Sequence, residues 1–207
     1  MLTATQALER LREGNRQFVA SIGSDDAGAF SRRVELIAEQ HPIAIILGCS
    51  DARVPAEIVF NQGLGDLFVI RVAGNIVAPS QVGSVEFAAA KFGTPLVVVL
   101  GHSNCGAILA TLQELERPAA NQSRNLHSIV DRVRPSVETL LATDLRHDRD
   151  ALVDHAVRAN VRASANQLRH GSEILERLIQ HDGLLVVGAE YSLETGVVEF
   201  FDGVPVG

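Results

Sequence analysis

The chain has 207 residues, 46% of them apolar, and its 25 acidic against 18 basic side chains give a formal net charge of −7. A chain of this length and apolar content can bury one substantial core, so we expect a single domain over residues 1–207. The acidic balance and the lack of a basic block argue against nucleic acid and anionic membranes as partners. No apolar run is long enough to cross a bilayer.

The N-terminal segment, at about 2–20, alternates charged and apolar residues at helical spacing and lacks the continuous apolar core of a signal peptide. It predicts an amphipathic helical arm whose apolar side carries Leu8, Leu11, Phe18 and Val19. This side could pack on the chain's own core or lie across a partner subunit, and the pattern alone does not choose. We expect a cytoplasmic protein, in which two cysteines are more typical of a metal, catalytic or buried role than of a disulfide.

Several short runs rich in Ile, Val and Leu show little alternation, which is typical of parallel strands buried on both faces. These strands are predicted at 43–48, 67–72, 96–101 and 184–189, with an edge strand at 196–201 and helical stretches between them at 80–92 and 105–115. The fold class is therefore α/β, an open, mostly parallel sheet of four strands plus an edge strand, flanked by helices. Residues 125–181 are predicted to be helical, with breaks near Pro135, at 143–150 and at Gly171, and residues 23–31 are predicted to form a loop.

Side chains that can bind a metal directly follow two of these strands. Cys49 and Asp51 come after the strand 43–48, and His102 and Cys105 come after the strand 96–101. In a doubly wound sheet, ligands bind beyond the C-terminal ends of two adjacent strands whose crossover helices leave on opposite faces. If these strands are that pair, the four side chains converge on one point. Two thiolates, an imidazole and a carboxylate suit Zn²⁺ in tetrahedral geometry.

These residues also carry a family resemblance. The blocks "CSDARV", "GLGDLFVIRVAGN", "GSVEFA" and "VVVLGHSNCGAI" resemble the signature sequences of the β-class carbonic anhydrases over roughly residues 40–108, with support from "LLVVGAEYSLETGVVEF". The resemblance implies zinc held by Cys49, His102 and Cys105, with Asp51 and Arg53 as the catalytic dyad. It also implies a homodimer with each active site near the subunit interface, which some members assemble further into tetramers or octamers.

The activity implied by the resemblance is the reversible hydration of carbon dioxide to bicarbonate and a proton, through attack by zinc-bound hydroxide. Asp51 can fill the fourth zinc position, or it can pair with Arg53 while hydroxide takes that position. The two anions carry the same charge, so the exchange depends on pH, and the dyad would open and close the metal site. A plain surface ion pair is the alternative interpretation of Asp51 and Arg53.

The resemblance further assigns the carbon dioxide pocket to Gln40, Phe68 and Phe87, some of them supplied by the other subunit. Phe87 stands where many plant-like members have tyrosine. The backbone N–H of Gly106, at a helix N-terminus beside the metal, could hold a bicarbonate oxygen.

Other functions stay open at this point. A carbon disulfide or carbonyl sulfide hydrolase can use the same fold and metal set. The sequence has no long insertion that would indicate a restrictive access tunnel, which favours carbon dioxide as the substrate. A non-catalytic, zinc-stabilised binding subunit would not need Arg53. A disulfide between the cysteines would leave His102 and Asp51 unexplained, and a redox role lacks the C-x-x-C spacing.

Overall fold

The computed structural model describes residues 2–21, 39–118 and 123–205. In these ranges a five-stranded sheet has the order β2-β1-β3-β4-β5. Its strands are β1 (Ala44–Gly48), β2 (Leu67–Arg71), β3 (Leu96–His102), β4 (Leu185–Tyr191) and β5 (Val198–Asp202). The first four strands pair in parallel, and β5 pairs antiparallel with β4 at one edge. The predicted α/β fold with four parallel strands and an edge strand is therefore confirmed.

Helices connect and cover the strands. They are α1 (Ala4–Ser21), α2 (Ala56–Val59), α3 (Pro79–Phe92), α4 (Gly106–Glu116), α5 (Arg124–Val137), α6 (Arg149–His170) and α7 (Glu173–His181). Local sequence sets several of the ends. Pro79 begins α3, Gly93 follows it in the left-handed conformation, and the Ser172 side chain accepts the Leu175 N–H at the start of α7. None of the helices within the described ranges is long and apolar enough to span a membrane.

Alternate residues of the central strands pack on opposite faces of the sheet. Ile46 and Val98 belong to a core cluster with α1 and α2, whereas Ile45 and Val97 belong to a second cluster with α3, α6 and α7. A strand with helices on both faces must be apolar on both sides, which explains the continuous apolar runs in the sequence. A third cluster, built from α4, α5 and α6, surrounds Cys49 and Cys105 at the C-terminal edge of the sheet.

Helix α1 packs on the core of its own chain. Ala7, Leu8 and Leu11 are buried in the first core cluster, and a Cβ at Gly14 would lie 1.9 Å from the Phe60 carbonyl oxygen. Of the two arrangements that the sequence left open, packing on the chain's own core is therefore the one seen for these residues. An additional contact of the helix with a partner subunit stays a prediction.

The long C-terminal helical region differs in detail from its prediction. Pro135 lies inside α5, and the helix ends two residues later at Val137. Residues 138–142 and 144–147 form two short 3₁₀ turns, so the predicted break at 143–150 begins earlier than expected. The break at Gly171 is confirmed, since this residue separates α6 from α7. The loop predicted at 23–31 lies outside the described residues.

The buried Asn15 links α1 to two later segments of the chain through hydrogen bonds. Its amide nitrogen donates to the carbonyls of Val59 and Gly196, and its amide oxygen accepts the N–H of Val198. Asn15→Leu would leave three buried backbone groups without partners, at a cost of about 1–3 kcal/mol each. We expect a loss of about 3 kcal/mol or more in the free energy of unfolding, measured by urea denaturation. The control Gln17→Ala, an exposed position on the same helix, should be nearly neutral, and equal losses in both variants would contradict this role of Asn15.

Candidate metal centre

The pairing of β1 with β3 brings the predicted metal ligands together. Cys49 directly follows β1, His102 is the last residue of β3, and Cys105 precedes the first residue of α4. The two strands are hydrogen-bonded neighbours in parallel, so their C-terminal ends lie side by side. The Sγ atoms of Cys49 and Cys105 are 4.0 Å apart, and the ligand atoms of all three residues lie within 4.8 Å of one another. Both cysteines are free thiols.

The unpartnered nitrogen of His102 fits a metal ion. The ring is fully buried, and Nδ1 lies 2.9 Å from the Ser103 carbonyl oxygen. Because a carbonyl only accepts, Nδ1 carries the proton and Nε2 presents its lone pair. Nε2 is a buried atom with no hydrogen-bond partner, which is costly unless a ligand satisfies it. Two sulfurs at about 2.3 Å from a tetrahedral zinc ion would be about 3.8 Å apart, close to the separation between the cysteines.

The environment of Cys49 favours its thiolate. The hydrogen bond with Cys105 is the main cause of a lowered Cys49 pKa, and the hydrogen bond from the Gly74 N–H lowers it further against the opposing effect of burial. The Gly74 N–H lies 3.3 Å from Sγ. Since the thiolate is the form that binds metals, these donors prepare Cys49 as a ligand.

Asp51 and Arg53 form a bidentate ion pair at the same site. Arg53 Nε and Nη2 donate to the two carboxylate oxygens at 2.9 and 2.8 Å, and the Arg53 backbone N–H donates as well. These hydrogen bonds hold the pKa of Asp51 well below its usual range, although burial opposes them. Asp51 Oδ2 also lies 3.8 Å from His102 Nε2. The carboxylate is therefore an anion at the edge of the three-ligand cluster.

A second arginine holds the loop that carries these ligands, a role that the sequence pattern did not predict. Arg71, at the end of β2, donates through Nε to the Cys49 carbonyl at 2.9 Å and through Nη2 to the Asp51 carbonyl. Its planar fork suits two acceptors in one loop. A charged residue at the end of an apolar strand was the available signal, but only the β1–β2 register shows which carbonyls it reaches.

The residues that the resemblance assigned to the substrate pocket lie in two places. Gly106 begins α4, directly after Cys105. Gln40, by contrast, is exposed and precedes β1, at the opposite end of the sheet from the ligands. Phe68 pairs with Ile45, four residues before Cys49, which corresponds to about 13 Å along a strand. Phe87 packs on Phe68 with ring centroids 6.3 Å apart. Within one chain, these last three residues are not at the metal centre.

The sequence matches a known family over most of this architecture. The family model described as "Carbonic anhydrase" matches residues 44–198, from β1 into β5. The chain belongs to the carbonic anhydrase family. It is 38% identical over 190 residues to carbonic anhydrase 2 of Mycobacterium tuberculosis (strain CDC 1551 / Oshkosh), covering 92% of this chain and 89% of that protein. It is also 38% identical over 193 residues to the carbonic anhydrase of Mycolicibacterium smegmatis, covering 93% and 91%.

The solved structures that the chain resembles are β-class carbonic anhydrases. The β-carbonic anhydrase CafA of Aspergillus fumigatus superposes with a TM-score of 0.73 at 27% identity, covering 83% of this chain and 81% of that one. Two tetrameric β-carbonic anhydrases of Sordaria macrospora were solved together, and the matching chain has a TM-score of 0.72 at 25% identity, covering 81% and 84%. The resemblance seen in the sequence is confirmed.

Metal binding by the three ligands can be followed through the thiols. One equivalent of Zn²⁺ added to chelator-treated protein should shield both cysteines from a thiol reagent, because each sulfur becomes a ligand. His102→Ala retains both thiols but should need at least tenfold more zinc for the same protection. The control His41→Ala, which changes an exposed histidine before β1, should match the wild type. Full protection in His102→Ala would remove this histidine from the ligand set.

Proposed function

We propose that the chain catalyses the zinc-dependent, reversible hydration of carbon dioxide to bicarbonate and a proton. The observation that carries the proposal is the buried cluster of Cys49, His102 and Cys105 with the Asp51–Arg53 pair beside it. Relatives that are 38% identical over nine-tenths of the chain are named carbonic anhydrases, which supports the same reaction here.

Zinc held by the three ligands would act as a Lewis acid that activates a water molecule near neutral pH. The thiolates of Cys49 and Cys105 would contribute two negative charges to the centre, whereas His102 would be neutral. This charge makes the activated water less acidic than at a centre of three histidines, so we place half-maximal activity at roughly pH 7–8.5.

Asp51 would be the hydrogen-bond acceptor that orients the reacting water. The side-chain hydrogen bonds from Arg53 keep the pKa of Asp51 far below neutral, so it stays an anion throughout the working range. A fall in activity on mild acidification would therefore not come from protonation of Asp51. We propose instead that Asp51 would itself serve as a metal ligand at low pH, when hydroxide is scarce, and that Arg53 would hold it off the metal at higher pH.

The remaining contacts would bind substrate and product. The Gly106 N–H lies at the start of an 11-residue helix, where unpaired backbone donors and the helix dipole favour an anion such as bicarbonate. Carbon dioxide is small and apolar, so its pocket needs apolar walls, which Phe68 and Phe87 would supply from a second subunit.

The dyad can be tested without removing a ligand from the three-residue cluster. Arg53→Met keeps an unbranched apolar stem but removes both side-chain donors to Asp51. We expect kcat/KM for carbon dioxide hydration to fall about 100-fold at pH 8, the upper end of the loss expected when a partner that positions a group at the metal site is removed, with zinc content unchanged. Asp51→Asn should lower kcat/KM by a similar factor because the neutral amide cannot replace the carboxylate.

The matched control for the dyad is Arg16→Met, which removes a surface ion pair with Glu13 on α1 and should leave kcat/KM unchanged. If Arg53→Met retains wild-type activity from pH 7 to 9, the pair is only a surface ion pair and the proposed role of Arg53 is lost.

We further propose that the active unit is a homodimer. All five residues of β2, an edge strand, are at least partly exposed, and the Phe87 side chain packed beside it is 50% exposed. A second copy seated on this face would cover these apolar groups. It would also bring Gln40, Phe68 and Phe87 close to the metal centre of the second copy, whereas they lie away from the metal centre of their own chain. Cytoplasmic location and assembly beyond the dimer stay predictions.

Phe87→Glu should separate the subunits, because a carboxylate would be buried in the apolar interface. Sedimentation should show a monomer in place of the wild-type dimer, with zinc retained and carbon dioxide hydration strongly reduced. Leu126→Glu is the control, since Leu126 is 55% exposed on α5, and it should stay dimeric and active. A fully active Phe87→Glu monomer, or a variant that dimerises like the wild type, would contradict the proposed interface.

A further inference from the structure

The tight turn Ala73–Asn75 contacts both cysteine-bearing segments of the metal centre. On one side, the Gly74 N–H donates to Cys49 Sγ. On the other side, a Cβ at Gly74 would lie 3.0 Å from the Ala107 side chain in the first turn of α4, directly after Cys105 and Gly106. Gly74 has a φ of 70°, which a residue with a side chain rarely adopts. The turn therefore needs glycine for both its conformation and its close packing.

Helix α6 holds this turn through two buried side chains. Asn160 Nδ2 donates to the Gly74 carbonyl at 2.7 Å, and Ser164 Oγ donates to the Asn75 carbonyl at 3.1 Å. Asn160 is 2% exposed and Ser164 is 5% exposed. They lie one helical turn apart, between the buried Ala156 and Leu168, on a face of α6 that is otherwise apolar. Polar groups in such a position are expensive to bury and are retained where they have specific partners.

We infer that Asn160 is a positioning residue for the Cys49 thiolate and acts through Gly74. Asn160 holds the carbonyl of Gly74, and the N–H of the same Gly74 donates to the Cys49 sulfur. The two hydrogen bonds therefore fix the orientation of both peptide groups that flank the left-handed Gly74. Without the Asn160 amide, the buried Gly74 carbonyl would lack this donor and the turn could relax by rotating. The N–H would then lose its alignment with Cys49 Sγ.

The consequence for the metal follows from ligand chemistry. A hydrogen bond to a ligand sulfur fixes its direction and draws electron density from it, and the loss of such outer contacts usually costs 10- to 100-fold in metal affinity or activity. Ser164 anchors the same turn with the same kind of bond, but the residue that it holds makes no hydrogen bond to a ligand in the described part of the chain. The inference rests on the proposed zinc site and not on the proposed reaction.

The two side chains give a matched pair of variants. In Asn160→Ala we expect zinc affinity, measured by competition with a chromophoric chelator, to fall about tenfold or more. In the cobalt-substituted protein, the thiolate-to-metal charge-transfer band should shift, because the hydrogen bond to one sulfur is lost. Ser164→Ala should lower the thermal stability of the metal-free protein but keep zinc affinity within about threefold and leave the band in place.

If Asn160→Ala is too unstable to purify, Asn160→Ser is measured instead. The serine hydroxyl is too short to reach the Gly74 carbonyl, but it keeps a polar group in the cavity. Unchanged zinc affinity and an unchanged cobalt band in the asparagine variant would overturn the inference, and so would equal losses of affinity in the Asn160 and Ser164 variants. A wild-type protein that binds no zinc would overturn the proposed metal site as well. Zinc binding without carbon dioxide hydration would affect the proposed function alone.

Discussion

The parallel pairing of β1 with β3 is the constraint on which the rest of the site depends. The chain passes from β1 to β2 on one side and later returns to β3 on the other, so the two neighbours are separated by about 50 residues of sequence. Their carboxyl ends meet at one edge of the sheet, and each delivers a cysteine there. A histidine at the end of a seven-residue buried strand has little freedom to move, so the ligand geometry is set largely by the sheet.

Polar groups around the three ligands then stabilise a charged centre that would otherwise be unfavourable inside an apolar cluster. The Gly74 N–H contacts one sulfur, the Ser103 carbonyl fixes the histidine tautomer, and Arg71 holds the loop between Cys49 and Asp51. Arg53 keeps Asp51 ionised and away from the thiols. Each of these contacts orients a ligand, or holds the loop that carries the ligands, and each is made by a residue that is not itself one of the three ligands. The ligands are therefore positioned mostly by residues outside the cluster.

The sequence predicted the parts of the molecule that local pattern determines. The runs at 43–48 and 96–101 are apolar on both faces and became β1 and β3 with ends within one residue, and the ligand positions followed from those ends. The roles of Arg71 and Asn160 could not be predicted in this way. Their partners lie about 20 and 86 residues away, and only the register of β1 with β2 and the packing of α6 bring them together. Pro135 also shows the limit of local rules, because tertiary packing of Val133 and Val137 carries α5 two residues past the proline.

In the proposed function, zinc at the Cys49–His102–Cys105 cluster makes this chain a carbon dioxide hydratase. The direct measurement is stopped-flow hydration of carbon dioxide during titration of chelator-treated protein with Zn²⁺, with bound metal quantified at each point. We expect activity to rise in proportion to bound zinc and to stop rising at one ion per chain. Protein that binds one zinc per chain and hydrates carbon dioxide no faster than the buffer would contradict it.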